Sequence, residues 1–282
     1  MTLIKSIKHK FQTSLDPFFS INDIQFIWNQ WVVKEILKMS LVDYFSNNNV
    51  KISELEHEAI TLLTLHLLKN KPIQYFFGYM YFQNIKISVD PNVLIPRPET
   101  DQLVDIVTDD LDNKKLYNII DIGTGSGCIA ISLKKNMPCD VVGVDICDKA
   151  LTTAISNAKS NNVDVNFQLL DILNPENYRS LPKFDVIVSN PPYVLKSEVS
   201  SDSNIHFEPS SAIFVPDKNP LVFYEAICVF SQTKLNKNGK IFLEINPNLV
   251  SELHEMLSNY FVNDIKVCED FYGKKRFIVV SF

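Results

Sequence analysis

Asn118-Ile119-Ile120-Asp121-Ile122-Gly123-Thr124-Gly125-Ser126-Gly127 is the stretch on which the reading of this chain turns. Its first half is a short isoleucine-rich run with the character of a buried strand. Its second half is a glycine-rich turn that delivers the chain into a helix expected over residues 128–135. Glycines at such a turn let the backbone bend sharply and approach a ligand with no Cβ in the way. A strand, a glycine turn and a helix in succession open an α/β unit, and ligands of such units sit beyond the carboxyl ends of the strands.

The alternation continues outward from this stretch. Strands are expected over residues 140–144, 165–170, 184–189 and 240–245, and helices over 103–111, 149–160, 221–235 and 248–260. Residues 265–269 and 276–281 read as a terminal hairpin turning at Tyr272-Gly273. Together these predict a doubly wound, mostly parallel, seven-stranded α/β sheet of Rossmann-like form, covered on both faces and closed by an antiparallel edge. Residues 99–282 form this domain.

Upstream the texture differs, and residues 1–71 read as a small helical bundle. Leu3, Ile4, Ile7 and Phe11 recur at helical spacing, and from Asn22, expected as an N-cap, the pattern continues through Ile24, Ile27, Trp28, Trp31, Val32 and Ile36. Both tryptophans read as helix core. Ser53 with Glu56 makes a capping box ahead of Leu55, Ala59, Leu62, Leu63 and Leu67. Residues 72–98 are a connector with a β-hairpin around Gln83-Asn84 and a loop punctuated by Asp90-Pro91-Asn92 and Pro96-Arg97-Pro98.

Bulk composition excludes several classes. The 282 residues are 46% apolar and 21% charged, with a net charge of −6, so there is no overall basic footprint for nucleic acid. No apolar run reaches the length of a membrane span, and the start of the sequence lacks a secretory signal pattern. Cys128, Cys139, Cys147, Cys228 and Cys268 are scattered with no C-x-x-C pair, as in reduced cytoplasmic proteins, and the histidines form no ligand motif. A metal enzyme is disfavoured. Nothing calls for more than a monomer.

Two loops carry the chemistry. Asp121, Gly123, Thr124, Gly125, Ser126 and Gly127 form a G-x-G-x-G turn rather than the G-x-G-x-x-G of dinucleotide folds. Asp145 ends the next strand, about twenty residues on, where a carboxylate accepts both hydroxyls of a ribose. Asp171 and Ile172 close the third strand, placed to meet an adenine amino group and its ring. The departure from dinucleotide spacing favours S-adenosylmethionine over NAD, since it needs no pyrophosphate site at a helix N-terminus.

The second loop is Asn190-Pro191-Pro192-Tyr193, directly after the strand Phe184-Asp185-Val186-Ile187-Val188-Ser189. Two prolines cannot extend a central strand, so the backbone leaves stiff and extended with its carbonyls able to accept. Asn190 adds an amide, and Tyr193 a flat apolar face. The set suits a planar, NH2-bearing group, and with the glycine turn it points to methyl transfer onto nitrogen.

With these residues in view, the chain resembles the HemK/PrmC family of protein-(glutamine-N5) methyltransferases over nearly its whole length. The pieces are Pro72-Ile73-Gln74-Tyr75 with Gly78, Leu94-Ile95-Pro96-Arg97-Pro98-Glu99-Thr100, the glycine turn, Asn190 to Tyr193, Phe207-Glu208-Pro209 and Gly273-Lys274-Lys275-Arg276. The resemblance implies a class I S-adenosylmethionine-dependent enzyme acting on the glutamine of the Gly-Gly-Gln motif of peptide-chain release factors, which dock partly on the helical domain. It implies that Gly123 to Gly127, Asp145, Ile172 and Asn190 line the cofactor site and that Asn190 to Tyr193 hold the substrate glutamine. The family more often has a bulkier residue at position 172.

The mechanism expected is positional. The Asn190 oxygen and the Pro191 carbonyl accept the two N–H bonds of the substrate amide, and Tyr193 packs on its face. Arg97 and Glu99 read as a structural clamp, a lid over the cofactor with Arg97 or Glu99 bonding loop backbone. His206 reads as a surface histidine, and Lys274, Lys275 and Arg276 as a solvated turn. The competing readings are an adenine-N6 nucleic-acid methyltransferase, which would use the same loop on a flipped base, and a non-catalytic nucleoside-binding adaptor.

Overall fold

The computed structural model describes residues 2–47, 50–201, 203–261 and 264–281. Residues 1–77 and 78–282 form two compact units.

In the first unit, Ile4–Leu15 (α1) buries Ile4, Ile7, Phe11 and Leu15, one apolar stripe of an amphipathic helix. Ile21–Ile27 (α2) is capped by Ser20, whose hydroxyl accepts the Asp23 N–H at 3.2 Å. Asn22, the expected cap, lies inside the first turn. Ser20 has the extended backbone and the oxygen that the open amides need. From Trp28 to Ile36 the helix widens to π geometry, closing with the Leu37 N–H on the Val32 carbonyl at 2.9 Å. Leu41–Ser46 (α3), Glu54–Leu68 (α4) and Ile73–Phe77 (α5) complete the unit. The Ser53–Glu56 capping box is present: the Ser53 N–H donates to Glu56 Oε2 at 2.6 Å and the Glu56 N–H to Ser53 Oγ at 3.2 Å. Trp28 is fully buried, edge-on to Phe11, with its indole N–H on the Tyr44 hydroxyl at 3.0 Å. Trp31 departs from expectation. It is half-buried, its ring stacked on Phe77 at 4.6 Å.

The second unit opens with the hairpin Tyr79–Phe82 (β1) and Ile85–Ser88 (β2). Gln83 and Asn84 both have positive φ, 47° and 59°, the twist-matched two-residue turn between antiparallel strands. Pro98–Asp110 (α6) begins ahead of the expected residue 103, because proline at the first helical position starts a helix rather than prolonging the loop.

Among the described residues, seven strands make the main sheet: Tyr117–Ile122 (β3), Cys139–Asp145 (β4), Asn166–Leu169 (β5), Phe184–Ser189 (β6), Leu235–Glu244 (β7), Ile265–Glu269 (β8) and Lys275–Ser281 (β9). Their order is β8-β9-β7-β6-β3-β4-β5. β7, β6, β3, β4 and β5 run parallel, and β9 lies antiparallel to both β7 and β8. The helices between strands are Cys128–Asn136 (α7), Asp148–Ser160 (α8), Val222–Lys234 (α9) and Val250–Tyr260 (α10). Ile119, Ile120, Ile187, Val188, Phe242 and Leu243 have no solvent exposure, which is why these strands read as apolar runs rather than as alternation. The chain builds outward from β3 through β4 to β5, then returns to lay β6 on the other side of β3. That reversal makes the β3–β6 boundary the switch point, where ligands of doubly wound sheets bind. Among the described residues no helix is long and apolar enough to cross a membrane.

Gly143 in β4 keeps the ground under the glycine turn clear. A Cβ there would lie 2.7 Å from the Phe167 ring and 3.0 Å from Thr124 Oγ1. Gly143→Ala is expected to cost about 1–3 kcal/mol by overpacking, read as a lower urea midpoint at unchanged m value.

Candidate active site

The glycine turn is held almost entirely by its own protein. The N–H groups of Gly123 and Thr124 donate to the Val144 carbonyl at 2.9 Å, that of Gly127 to the Thr124 carbonyl at 2.8 Å, and that of Gly125 to Asp145 Oδ2 at 2.9 Å. Gly123, Gly125 and Gly127 have φ of 75°, 54° and 80°, a conformation that disfavours any side chain. A Cβ at Gly123 would meet no atom within 4 Å, so its open face is a shallow cradle. Asp121, with no exposure, takes the Thr124 hydroxyl on Oδ2 at 2.6 Å, and its Oδ1 carries no hydrogen bond. Burial pushes its carboxyl up to about 7 against the pull of that hydroxyl. Ser126 is buried, and its carbonyl accepts from Asn157 Nδ2 at 2.9 Å. Asn157, on α8, also accepts the Ser88 N–H at 2.8 Å, so one buried amide ties the hairpin to the turn.

Asp145, half-buried at the end of β4, accepts from the Gly125 and Cys147 N–H groups, one on each oxygen and both at 2.9 Å. Burial raises its carboxyl, with those N–H bonds opposing. Asp171 is half-buried and takes the Leu173 N–H on Oδ1 at 2.9 Å. Ile172 is 9% exposed and joins the core cluster of Leu170, Val144 and Tyr178.

The acceptor loop leaves the sheet beside this turn. The parallel register pairs Ile122 with Ser189, and the buried Ser189 hydroxyl donates to the Ile122 carbonyl at 2.6 Å. Gly123 and Asn190 therefore depart from adjacent strand ends, about 5 Å apart. Asn190 Nδ2 donates to Thr100 Oγ1 at 2.9 Å, and the Thr100 hydroxyl donates to Glu244 Oε2 at 2.8 Å. The Tyr193 hydroxyl donates to Glu244 Oε1 at 2.9 Å, and the Tyr224 hydroxyl to the Glu244 carbonyl at 3.1 Å. Glu244, ending β7, is 1% exposed, and burial pushes its carboxyl up to about 7. Burial and the Glu244 charge raise the Tyr193 phenol, which stays a neutral donor. Asn246 Nδ2 bonds the Tyr193 carbonyl at 3.1 Å and Glu198 Oε2 at 3.0 Å, bracing the loop from behind. Pro191 is buried, Pro192 half-buried.

Arg97 forms a clamp, but not on loop backbone as expected. Its guanidinium pairs with Glu208, which is 5% exposed, and the other oxygen of Glu208 takes the Ile95 N–H at 2.8 Å. The backbone bond thus belongs to Glu208, because a guanidinium only donates. Arg276 also departs from expectation. It is half-buried and paired with Asp270 at 3.5 Å, whereas Lys274 and Lys275 are exposed. His206 is an exposed histidine bonded to the Ser200 carbonyl at 2.9 Å. Glu244 and Asn246 went unnoticed in the sequence, and Thr100 entered only as the end of a motif segment, with no role. Glu244 alone carried a signal, a lone carboxylate closing the apolar run Ile241-Phe242-Leu243. Among the described residues no group of three or more His, Cys, Asp or Glu is placed to hold a metal ion.

The site combines a cradle in which the amides of Gly123, Thr124, Gly125 and Gly127 are committed internally, carboxylates at two further strand ends, and an oriented carboxamide followed by stiff backbone. Comparison with known proteins finds methyltransferases. A family model described as a methyltransferase domain matches residues 113–275. The chain is 38% identical to a release factor glutamine methyltransferase of Flavobacterium psychrophilum over 99% of both chains. It is 36% identical to one of Bacteroides thetaiotaomicron, over 88% of this chain and 89% of that one. In fold it is similar to a T. thermophilus 16S rRNA methyltransferase solved in complex with AdoMet and guanosine, with TM-score 0.53 and 18% identity over 72% of this chain and 49% of that one.

The Arg97–Glu208 pair offers a direct test of what holds the two motif segments together. Arg97→Ala strands a buried carboxylate and is expected to cost about 2 kcal/mol, less than a fully buried pair because Arg97 is partly exposed. Arg97→Ala/Glu208→Gln recovers most of that loss in urea unfolding.

Proposed function

This chain belongs to the release factor glutamine methyltransferase family, and we propose that it binds the glutamine amide and the methyl donor where Gly123 and Asn190 leave the sheet. It is an S-adenosylmethionine-dependent enzyme that methylates the side-chain amide nitrogen (N5) of a release-factor glutamine. The observation that carries the placement is the Ile122–Ser189 register, locked by the Ser189 hydroxyl, which sets the cradle and the carboxamide side by side.

The residues fit the cofactor. The open face of Gly123 admits a ligand against bare backbone. The amides of Gly123, Thr124, Gly125 and Gly127 are already engaged, which suits a nucleoside with no pyrophosphate. Asp145 keeps an unused lone pair on each oxygen for ribose hydroxyls. Asp121, Thr124 and Ser126 shape the turn from beneath, and Asp171 with Ile172 borders the base. When bound, S-adenosylmethionine supplies an electrophilic methyl group on a sulfonium.

The remaining chemistry is the protein's. An amide nitrogen is a poor nucleophile because its lone pair is delocalised into the carbonyl. Thr100 holds Nδ2 of Asn190, so Oδ1 is the end of that carboxamide presented to the substrate. Oδ1 and the Pro191 carbonyl accept the two N–H bonds of the glutamine amide and turn its nitrogen toward the donor. Pro192 keeps that carbonyl stiff, and Tyr193, pinned by Glu244, borders the amide. Both acceptors bind more strongly as the nitrogen becomes positive, so the stabilisation grows toward the transition state. Positioning of this kind contributes up to about 7–11 kcal/mol. The proton becomes acidic only after transfer, so no base is needed beforehand. The protein works on its release factor as a monomer in the cytoplasm, and its net charge of −6 speaks for a protein rather than a nucleic-acid substrate.

Tritium transfer from labelled S-adenosylmethionine tests the assignment. Label is expected on release factor, and not on a Gln→Ala release factor or on DNA. Asn190→Ala is expected to lower turnover at saturating cofactor about 100-fold, beyond any loss of cofactor affinity. Label on both protein variants or on DNA overturns the glutamine reading. A folded Asn190→Ala enzyme at near-normal turnover removes Asn190 from the reaction.

A further inference from the structure

The bond from Asn190 to Thr100 is the visible end of a buried chain. Thr100, on α6, is 2% exposed, and Glu244, at the end of β7, is 1% exposed. A hydroxyl has one hydrogen. Thr100 spends it on Glu244 Oε2 at 2.8 Å, so toward Asn190 its oxygen can only accept. Asn190 must then turn its NH2 to Thr100 and its carbonyl oxygen away from it, as observed. The polarity of the chain is set by its far end, where an ionised carboxylate offers acceptors alone to the hydroxyls of both Thr100 and Tyr193.

We propose that Glu244, acting through the Thr100 hydroxyl, is a positioning group for methyl transfer that decides whether Asn190 presents its oxygen or its NH2 to the substrate amide. With Glu244 protonated, its own O–H donates to Thr100. The Thr100 hydrogen then turns to Asn190, and the Asn190 amide flips to meet it. Asn190 would now offer N–H to the N–H of glutamine, and an acceptor is lost. The inference rests on Asn190 being the acceptor described under Proposed function.

The surroundings place this switch near neutrality. Burial is the main force raising the Glu244 carboxyl, to about 7. The Thr100 and Tyr193 hydroxyls oppose it, as does the positive charge of Arg276 on the neighbouring strand β9, and the charge of Glu99 on α6 adds to it. Arg276 is itself paired with Asp270. Tyr224, from α9, bonds the Glu244 carbonyl and stays neutral, because burial raises its phenol. The competent orientation therefore prevails above the midpoint and is lost as pH falls through it.

The test follows the Asn190 side-chain NH2 signal in 15N-labelled protein, identified by its absence in Asn190→Ala, from about pH 6 to about pH 8. In the wild type it is expected to shift with a midpoint near that of Glu244. The turnover of wild type is expected to fall on the acid side of the same midpoint. Thr100→Val should lower kcat about tenfold, flatten that limb and abolish the shift, while S-adenosylmethionine affinity by calorimetry stays unchanged. Thr100→Ser should restore both the limb and the shift. A wild-type NH2 signal that does not move with pH overturns the proposal, as does a Thr100→Val enzyme with the wild-type kcat and acid limb. The NMR arm needs no turnover, so it decides even if release factor proves not to be the substrate. Loss of labelling by wild type with the NH2 shift intact would sink only the glutamine reading.

Discussion

The Ser189 hydroxyl donates to the Ile122 carbonyl at the point where β3 and β6 part, and the site is assembled on that contact. Two parallel strands that end in register release their following loops side by side, as a pair of offset or antiparallel strands could not. One loop is all backbone and glycine, and the other is stiffened by two prolines. Their difference in chemistry is what the proposal of a nucleoside and an amide at a single edge of the sheet rests on. The β-sheet supplies the precision here, and the loops need only short excursions to reach one another.

Around this edge buried acids stand beside the apolar core. Asp121, Glu208 and Glu244 are each nearly or wholly inaccessible, and each has a different partner: the Thr124 hydroxyl, the Arg97 guanidinium, and the Thr100 and Tyr193 hydroxyls. Burying a carboxylate is costly unless its oxygens are bonded, so each acid dictates the position of the groups that satisfy it. Asp121 and Glu244, with carboxyls raised to about 7, favour the folded state most when protonated. Their contribution declines as pH rises from the ordinary carboxylate range toward neutrality. The working site is therefore less stable than it could be, in exchange for an oriented carboxamide.

Much of this was legible in the chain itself. Apolar strand runs punctuated by glycine and proline located the strands of the sheet, the terminal hairpin and the Gln83-Asn84 turn, because these features reflect local geometry and burial on both faces. Ser20 in place of Asn22, and α6 starting at Pro98 rather than residue 103, are errors of two and five residues at helix ends, where several residues satisfy the same cap chemistry. Trp31 and Arg276 were misjudged for a different reason. How far a side chain is covered depends on which element lies opposite it, and neighbours in sequence do not say.

The amino-acid order alone determined the alternating α/β class, the glycine turn and the Asn-Pro-Pro-Tyr loop, since backbone freedom and missing N–H donors are properties of residue type. Only the folded chain decided that Asn190 would meet Thr100, and Thr100 Glu244, residues 90 and 144 positions apart respectively. A hydrogen bond is a matter of a few tenths of an ångström between groups delivered by separate elements, and no periodicity in the sequence encodes that closeness.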